Sequence, residues 1–186
     1  MLMDDFNPQL RECFYRNIKP HMEYMWINKH TTLTTVGANL DYFYYLKHGV
    51  AYGRGHSGNV IWCCEENEIL IFDDSLIDGS PTQYQIEVTK GSVLYRIHKH
   101  DLYKAEQTWR IKQMLINQLK PNLAYFVHLS AELRRCSVNE QVRLMYKRRK
   151  HFLLDSPLKT VHSFLGVSIA QISTYRNKIG REYGLV

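Results

Sequence analysis

Residues 157–177 read PLKTVHSFLGVSIAQISTYRN, and this stretch decides the fold of the C-terminal part of the chain. Apolar residues recur at helical spacing before Gly166, and Ser168 then stands at the N-cap position of a second helix. Glycine can reverse a chain tightly between two helices because it has no Cβ to oppose a left-handed backbone. The stretch therefore predicts two helices joined by a sharp turn, the second over about 168–180.

The second of these helices is predicted to have two different faces. Ile172, Tyr175 and Ile179 fall on one side and predict the face that packs against the first helix. The other side carries small polar residues, which a helix in the major groove of DNA would present to the base edges. The candidate base contacts are Ala170, Gln171, Ser173, Thr174 and Asn177.

All of the excess positive charge lies in the last fifty residues. The 186 residues carry 24 Lys and Arg against 18 Asp and Glu, and residues 137–186 hold nine of the former and three of the latter. Residues 1–136 are therefore balanced, at 15 against 15. A basic helix–turn–helix on a neutral body favours DNA binding, because phosphate neutralisation supplies sequence-independent affinity. The candidate phosphate contacts are Lys147, Arg148, Arg149, Lys150, Ser168, Arg176, Lys178 and Arg181.

The first half of the chain has the sequence pattern of a β-structure. Short β-prone runs alternate with glycine-containing or polar turns, at 31–36, 42–46, 50–52, 60–64, 69–72, 84–88 and 93–97. Strands at such close spacing predict an antiparallel β-roll or jelly roll within residues 1–105. A short amphipathic helix that ends at Pro20 is expected to precede it. The chain has neither βαβ alternation nor a GxGxxG motif, which excludes the dinucleotide-binding folds.

A helical period replaces the strand period after His100 and persists to about Cys136. Its apolar positions repeat at 4-3-4-3-4 spacing, which predicts the seam of a long dimerisation helix over 106–136. The seam consists of Leu115, Leu119, Asn122, Phe126, Leu129 and Leu133. The same repeat is also compatible with a helix that packs on its own roll. Pro121 is expected to kink this helix or to restart it near Asn117.

The fold class predicted is α+β, with a small C-terminal helix–turn–helix domain over 137–186. That domain begins at a capping box formed by Ser137 and Glu140. No window is long and apolar enough to span a bilayer, and residues 1–16 lack the apolar region of a signal peptide, so a cytoplasmic protein without membrane contact is expected. The four cysteines lack the ligand spacing of a zinc or iron–sulfur site, so reduced thiols, no metal and no cofactor are expected.

The order of these parts resembles the Crp/Fnr superfamily of bacterial transcription regulators. The resemblance covers nearly the whole chain and is clearest over 28–49, 86–102 and 157–179. It implies a β-roll similar to a cyclic-nucleotide-binding domain, a dimer helix and a recognition helix. It therefore implies a homodimeric, non-enzymatic regulator that binds double-stranded DNA, with RNA polymerase as a further partner.

Three features depart from the family pattern. Cyclic-nucleotide binders have a Gly-Glu pair and an Arg followed by Ser or Thr, whereas residues 72–84 have three aspartates and no arginine, so no cyclic nucleotide is expected to bind. Where many members place arginines and an acidic residue in the recognition helix, this chain has Ile169, Ala170 and Thr174, which cannot read guanine bidentately. The DNA site is then either rich in A·T pairs, with Ala170 in contact with a thymine methyl group, or recognised with low sequence specificity. No full β-hairpin wing is expected after the helix.

Other functions are compatible with the sequence. A regulator with a degenerate helix–turn–helix would act through a protein partner or bind DNA without sequence preference. The roll could instead take a non-nucleotide effector in a pocket lined by Tyr42, Phe43, Tyr44, Tyr45, Tyr52 and Trp62. A cupin-like metalloenzyme is a further alternative, with ligands drawn from His48, His56, His98, His100 and Glu106.

Overall fold

Short antiparallel strands build the N-terminal half of the molecule. The computed structural model describes residues 12, 14–70, 75–104 and 108–183, without the side chains at 17, 103–104, 108–112, 114 and 118. The strands are β1 (Glu23–Trp26), β2 (Thr31–Thr34), β3 (Tyr42–His48), β4 (Ala51–Arg54), β5 (Val60–Cys64), β6 (Glu68–Ile69), β7 (Gln85–Val88) and β8 (Val93–His98).

These strands form two sheets, with the orders β1-β8-β3-β6 and β2-β7-β4-β5. The longest pairing joins β3 to β8, with Phe43 opposite Ile97 and Leu46 opposite Leu94. Both sheets contribute side chains to one apolar core, in which Leu46, Leu94 and Trp62 are almost completely buried. The predicted antiparallel architecture is confirmed, and each predicted β-prone run overlaps a strand.

Strand β1 was not predicted from the sequence. Of the expected N-terminal helix, the described residues show a helical residue at Glu12, a helical turn at Phe14–Ile18 and a 3-10 turn at Lys19–His21, and residues 1–11 and 13 lie outside the described residues. The chain becomes extended at Met22, directly after the turn that contains Pro20. β1 then pairs with β8 at the edge of its sheet.

Most of the described helices follow the roll. They are α1 (Ser75–Asp78), which lies between β6 and β7, then α2 (Lys99–Lys104), α3 (Thr108–Leu133), α4 (Val138–Arg148), α5 (Lys150–Asp155), α6 (Leu158–Leu165) and α7 (Ile169–Glu182). The capping box at the start of α4 is confirmed, because Ser137 and Glu140 exchange both of its hydrogen bonds. Within the part of the chain that the structure describes, no helix is long and apolar enough to cross a membrane.

The predicted dimer seam of α3 is buried inside its own chain. All six seam positions, from Leu115 to Leu133, are only 0–6% exposed in the single chain. Phe126, for example, lies edge-to-face against Phe164 of α6, with ring centroids 6.4 Å apart. The prediction that these residues face a second copy is therefore wrong, and the alternative of packing within the chain holds. A 4-3 repeat is common to both arrangements, since each buries one face of a helix.

Helix α3 runs unbroken through Pro121, so this residue does not restart the helix near Asn117. A kink at Pro121 and the division of the chain into domains 1–105, 106–136 and 137–186 stay predictions.

Candidate nucleic-acid interface

The turn between α6 and α7 is fixed by its own hydrogen bonds. Gly166 has φ +69°, and its N–H donates to the His162 carbonyl over 2.8 Å. No atom lies within 4 Å of a Cβ built at Gly166, so backbone conformation rather than space calls for glycine. Ser168 then caps α7 by accepting from the Gln171 N–H, as the sequence predicted. Three residues, 166–168, thus set the direction of α7.

Helix α7 has a buried and an exposed face, as its sequence pattern indicates. Ile172 and Ile179 are buried, together with Gly180. The opposite face is exposed along the helix, through Ala170, Gln171, Thr174, Asn177, Lys178 and Arg181. Of the candidate base contacts, only Ser173 is not exposed, because it lies half-buried at the edge of this face. We call the six exposed residues the outer face of α7.

Hydrogen bonds within α7 restrict what the outer face can offer to a ligand. The Thr174 hydroxyl donates to the Ala170 carbonyl over 2.9 Å. The Ser168 hydroxyl donates to the Gln171 side-chain carbonyl over 2.8 Å, which leaves the Gln171 amide NH₂ group as a donor. The first half of the outer face is therefore neutral and has few donors. The positive charges, Lys178 and Arg181, lie in its second half.

Arg149 does not belong to the basic surface. The helix breaks between α4 and α5, where Arg149 has φ −147° and ψ 63°, and its side chain turns inward. Its Nη1 atom lies 2.7 Å from both carboxylate oxygens of Glu68 on β6, and its guanidinium lies over the Tyr125 ring at 4.7 Å. The residue is 6% exposed. The prediction that Arg149 contacts DNA phosphate is therefore wrong.

Arg176 is likewise held by the protein itself. Its Nη2 donates to the Ser156 carbonyl over 2.9 Å, which ties α7 to the junction between α5 and α6. The residue is half-buried, and this burial lowers the pKa of its guanidinium. The sequence could not reveal this role, since Arg176 occupies a position between the two faces of α7. The bond to Ser156 makes Arg176 a poor candidate for a phosphate contact.

The other predicted phosphate contacts differ in exposure. Lys147, Arg148, Lys178 and Arg181 are exposed, as is Ser168 at the start of α7. Lys150 is half-buried, with its Nζ 5.6 Å from the centre of the Tyr146 ring.

A cleft of about 510 Å³ lies where the roll, α3 and α4 meet. The roll side of the cleft is lined by the carboxylates of Glu65, Glu66 and Glu68. The helical side is lined by the basic residues Lys147, Arg148, Arg149 and His151, and α3 contributes Pro121, Asn122 and Tyr125. Lys147 and Arg148 therefore share a surface with acidic residues. Lys178 and Arg181 lie instead on α7 itself, beside the candidate base contacts.

Polar contacts that the sequence did not predict hold the C-terminal helices on the roll. The Phe152 N–H donates to Glu65 over 2.7 Å, and the Val60 N–H of β5 donates to the Ser163 hydroxyl over 3.0 Å. The Thr160 hydroxyl donates to the Tyr52 hydroxyl over 3.3 Å. Contacts of this kind leave no periodic signal in a sequence. They fix α6, and through it the turn and α7, to β4 and β5.

The aromatic residues proposed to line an effector pocket mostly fill the core. Phe43, Tyr44, Tyr45, Tyr52 and Trp62 are all at most 4% exposed. Two of them form hydrogen bonds within the protein: Tyr45 donates to Asn67 over 3.0 Å, and Tyr52 accepts from Thr160. Tyr42 is half-buried and packs edge-to-face against His98.

The histidines of the metalloenzyme alternative do not converge on one site, although the His98 and His100 rings lie 6.4 Å apart. His48 lies beside Glu66, His56 beside Gln83, and His100 beside Asp101. Across the described ranges, no group of three or more His, Cys, Asp or Glu side chains could hold a metal ion. Glu106 lies outside the described residues, as do residues 72–74 of the stretch compared with the cyclic-nucleotide motif.

Comparison with solved structures identifies the fold. The chain is similar to FixK2 from Bradyrhizobium japonicum, with a TM-score of 0.70 and 12% identity over 87% of this chain and 85% of that one. It is also similar to the c-di-GMP-responsive global regulator CLP of Xanthomonas campestris, with a TM-score of 0.59, 14% identity and coverage of 95% and 93%. It is similar as well to a CooA mutant from Carboxydothermus hydrogenoformans, with a TM-score of 0.58 and 12% identity over 96% of this chain and 86% of that one.

These neighbours are Crp/Fnr-type regulators, and the chain shares their fold. No protein-family model matches the sequence, and neither does any curated protein.

Proposed function

We propose that this protein is a DNA-binding transcription regulator of the Crp/Fnr type, homodimeric and independent of cyclic nucleotides, with α7 as its recognition helix. The observation that carries the proposal is the outer face of α7. It is exposed along the helix, held by a capped glycine turn, and ends in Lys178 and Arg181. This combination suits insertion into a major groove with phosphate contacts beside it. A second partner consistent with this function is RNA polymerase.

The proposed contacts follow from exposure. Base contacts are assigned to Ala170, Gln171, Thr174 and Asn177, with Ser173 at the edge. Phosphate contacts are assigned to Ser168, Lys178 and Arg181 first, and to Lys147, Arg148 and Lys150 on α4 and α5 second. Independence from cyclic nucleotides is supported by the arginine-free stretch 72–84, since a cyclic phosphate needs a cation there.

The proposal is tested by selecting duplexes from a random pool at near-physiological salt. We expect an enriched inverted repeat, because a two-fold dimer reads two related half-sites. Gln171→Ala with Asn177→Ala should abolish the enrichment, because each bidentate amide–base contact discriminates by about 1–3 kcal/mol. Binding without any enriched sequence would instead favour the regulator that acts through a protein partner, which the lack of arginine in the first half of the outer face makes a specific second candidate.

Removal of the α7 cations should change the salt dependence of DNA binding. Lys178→Gln and Arg181→Gln should each reduce the slope of log K against log salt concentration by about 1, because each variant neutralises one phosphate fewer. Lys90→Gln is the matched control, because Lys90 is an exposed lysine in the turn between β7 and β8. Slopes that are equal in the α7 variants and the control would remove α7 from the phosphate-contacting surface.

We assign the dimer contact to a different face of α3 from the one that the sequence predicted. Because the predicted seam is buried, the large apolar residues that stay exposed among the described side chains of α3 are Val127, at 67%, and Leu123, at 38%. With Ile116 and Ala131 they form a stripe at 7-4-4 spacing, which we call the second stripe. Such a stripe on a long helix suits a parallel partner of the same kind, since two copies bury each other's apolar side chains.

Val127→Asp should therefore convert the dimer to a monomer. A buried carboxylate without a partner is unfavourable by several kcal/mol. Light scattering should give twice the 22.0 kDa chain mass for the wild type and 22.0 kDa for the variant. His128→Asp serves as the control, because His128 is also exposed on α3 but lies off the second stripe. A dimeric Val127→Asp protein would exclude this face.

A further inference from the structure

We infer that the N-terminal half of the outer face of α7 reads thymine methyl groups, through the methyl groups of Ala170 and Thr174. The inference rests on the proposed function and specifies the DNA that this helix selects. Ala170 and Thr174 are four residues apart, so their side chains adjoin on one face of the helix, and both are exposed. Together they present two neighbouring methyl groups to the groove.

The Thr174 hydroxyl is already committed within the helix. It donates to the Ala170 carbonyl over 2.9 Å, and this geometry ends its role as a donor to a base. What Thr174 offers to a ligand is then mainly its γ-methyl group. The C5-methyl group of thymine is the apolar feature of the major groove, and alanine and threonine methyl groups are suited to contact it.

Cations that would select guanine are missing from the same region. Along α7 the first charged residue is Arg176, and its guanidinium donates to the Ser156 carbonyl. The exposed cations of α7, Lys178 and Arg181, follow at least one turn after Thr174. Bidentate recognition of guanine O6 and N7 by a cation therefore has no donor in the first half of the helix.

Two amide side chains near the methyl pair favour adenine, the base that pairs with thymine. Gln171 and Asn177 are exposed, and an amide side chain is suited to the N6 and N7 edge of adenine. The hydroxyl of Ser168 occupies one acceptor site on the Gln171 carbonyl, and the amide NH₂ of that residue is left to donate. Methyl groups for thymine and amides for adenine both direct α7 to A·T pairs.

The test replaces thymine by uracil in the duplex that the wild type selects. This change removes only the C5-methyl group and keeps base pairing. We expect uracil at one or two positions of each half-site to weaken binding by about four-fold per methyl group, the effect of one buried methyl. Uracil at the remaining positions should leave binding unchanged.

Two variants of Thr174 identify its part in this readout. Thr174→Ser removes the methyl group and keeps the hydroxyl, so it should weaken binding to the thymine duplex and abolish the uracil effect at one position. Thr174→Val keeps a methyl group in place and removes the hydroxyl, so it should bind like the wild type and retain the uracil effect. Circular dichroism of both variants verifies that α7 remains folded.

The outcomes separate this inference from the proposed function. A wild type that selects a duplex but binds its uracil form equally well overturns methyl readout and leaves the DNA-binding regulator standing. Loss of binding in Thr174→Val with full binding in Thr174→Ser would show that the hydroxyl reads the base, and would also overturn the inference. A wild type that binds no duplex would remove the proposed function itself.

Discussion

Replacement of Glu68 by alanine is expected to lower the free energy of unfolding by about 3–5 kcal/mol, because it leaves the buried Arg149 guanidinium without its counter-charge. Both residues are at most 6% exposed, and the Arg149 Nη1 atom lies 2.7 Å from each Glu68 oxygen. The pair joins the edge strand β6 to the break between α4 and α5. Urea denaturation followed by tryptophan fluorescence measures the loss.

Two further variants show whether the loss comes from an unpaired charge. Glu66→Ala removes a carboxylate from the same turn, but Glu66 is partly exposed and pairs with the exposed His48, so the free energy of unfolding should change by no more than about 1 kcal/mol. The double variant Glu68→Met with Arg149→Met removes both charges and keeps apolar volume against Tyr125 and Phe126. It should recover most of the stability that Glu68→Ala loses. Equal losses in Glu68→Ala and Glu66→Ala would contradict a buried ion pair.

The ion pair should also contribute to stability against acid. Burial alone would raise the pKa of Glu68, but this pKa is held below its usual value, and attraction to Arg149 is the largest effect that lowers it. A carboxylate with a lowered folded-state pKa stabilises the protein above the unfolded-state pKa of about 4.3, and this contribution is lost as the pH falls through the folded-state pKa. Between pH 5 and pH 3, the free energy of unfolding should therefore fall more steeply in the wild type than in the double methionine variant.

The same residue pair shows where reasoning from sequence stops. Arg149 stands within the run Lys147 to Lys150, and nothing in four consecutive basic residues distinguishes the one that turns inward. Its direction depends on a helix break and on a carboxylate 81 positions away in the chain. By contrast, the glycine turn at Gly166 and the cap at Ser168 depend only on local backbone geometry, and both were predictable.

Helix α3 illustrates a different ambiguity. Its 4-3 repeat correctly predicts a long helix with one buried face, because hydrophobic period reports burial. The period does not report what covers that face, and here the face is buried within the chain itself, where Phe126 packs against Phe164 of α6. The second stripe gives a weaker signal, because Lys120 interrupts it and only Leu123 and Val127 are large and apolar on its exposed side.

Replacement of Gly49 by alanine is expected to destabilise the roll by about 2–5 kcal/mol, the sum of a strained backbone and an overpacked contact. Gly49 joins β3 to β4 with φ +98°, a conformation that side chains oppose. A Cβ at this position would lie 2.1 Å from the Ser92 Oγ and 2.8 Å from the Ser92 Cα, which belongs to the backbone. The start of β8 would have to move, together with the hydrogen bond between Ser92 and Thr89.

Gly58→Ala separates the two causes of this loss, because Gly58 has a similar φ of +78° but nothing within 4 Å of a built Cβ. It should lower the free energy of unfolding by only about 1–2 kcal/mol, the strain of the left-handed backbone alone. Ser92→Gly in the Gly49→Ala background removes the two closest atoms and keeps the Cα, so it should restore stability only in part. If thermal unfolding gave equal losses of stability for Gly49→Ala and Gly58→Ala, β8 would have shifted to accommodate the added methyl group. The close approach of Gly49 to Ser92 would then contribute nothing to the joint between the two sheets.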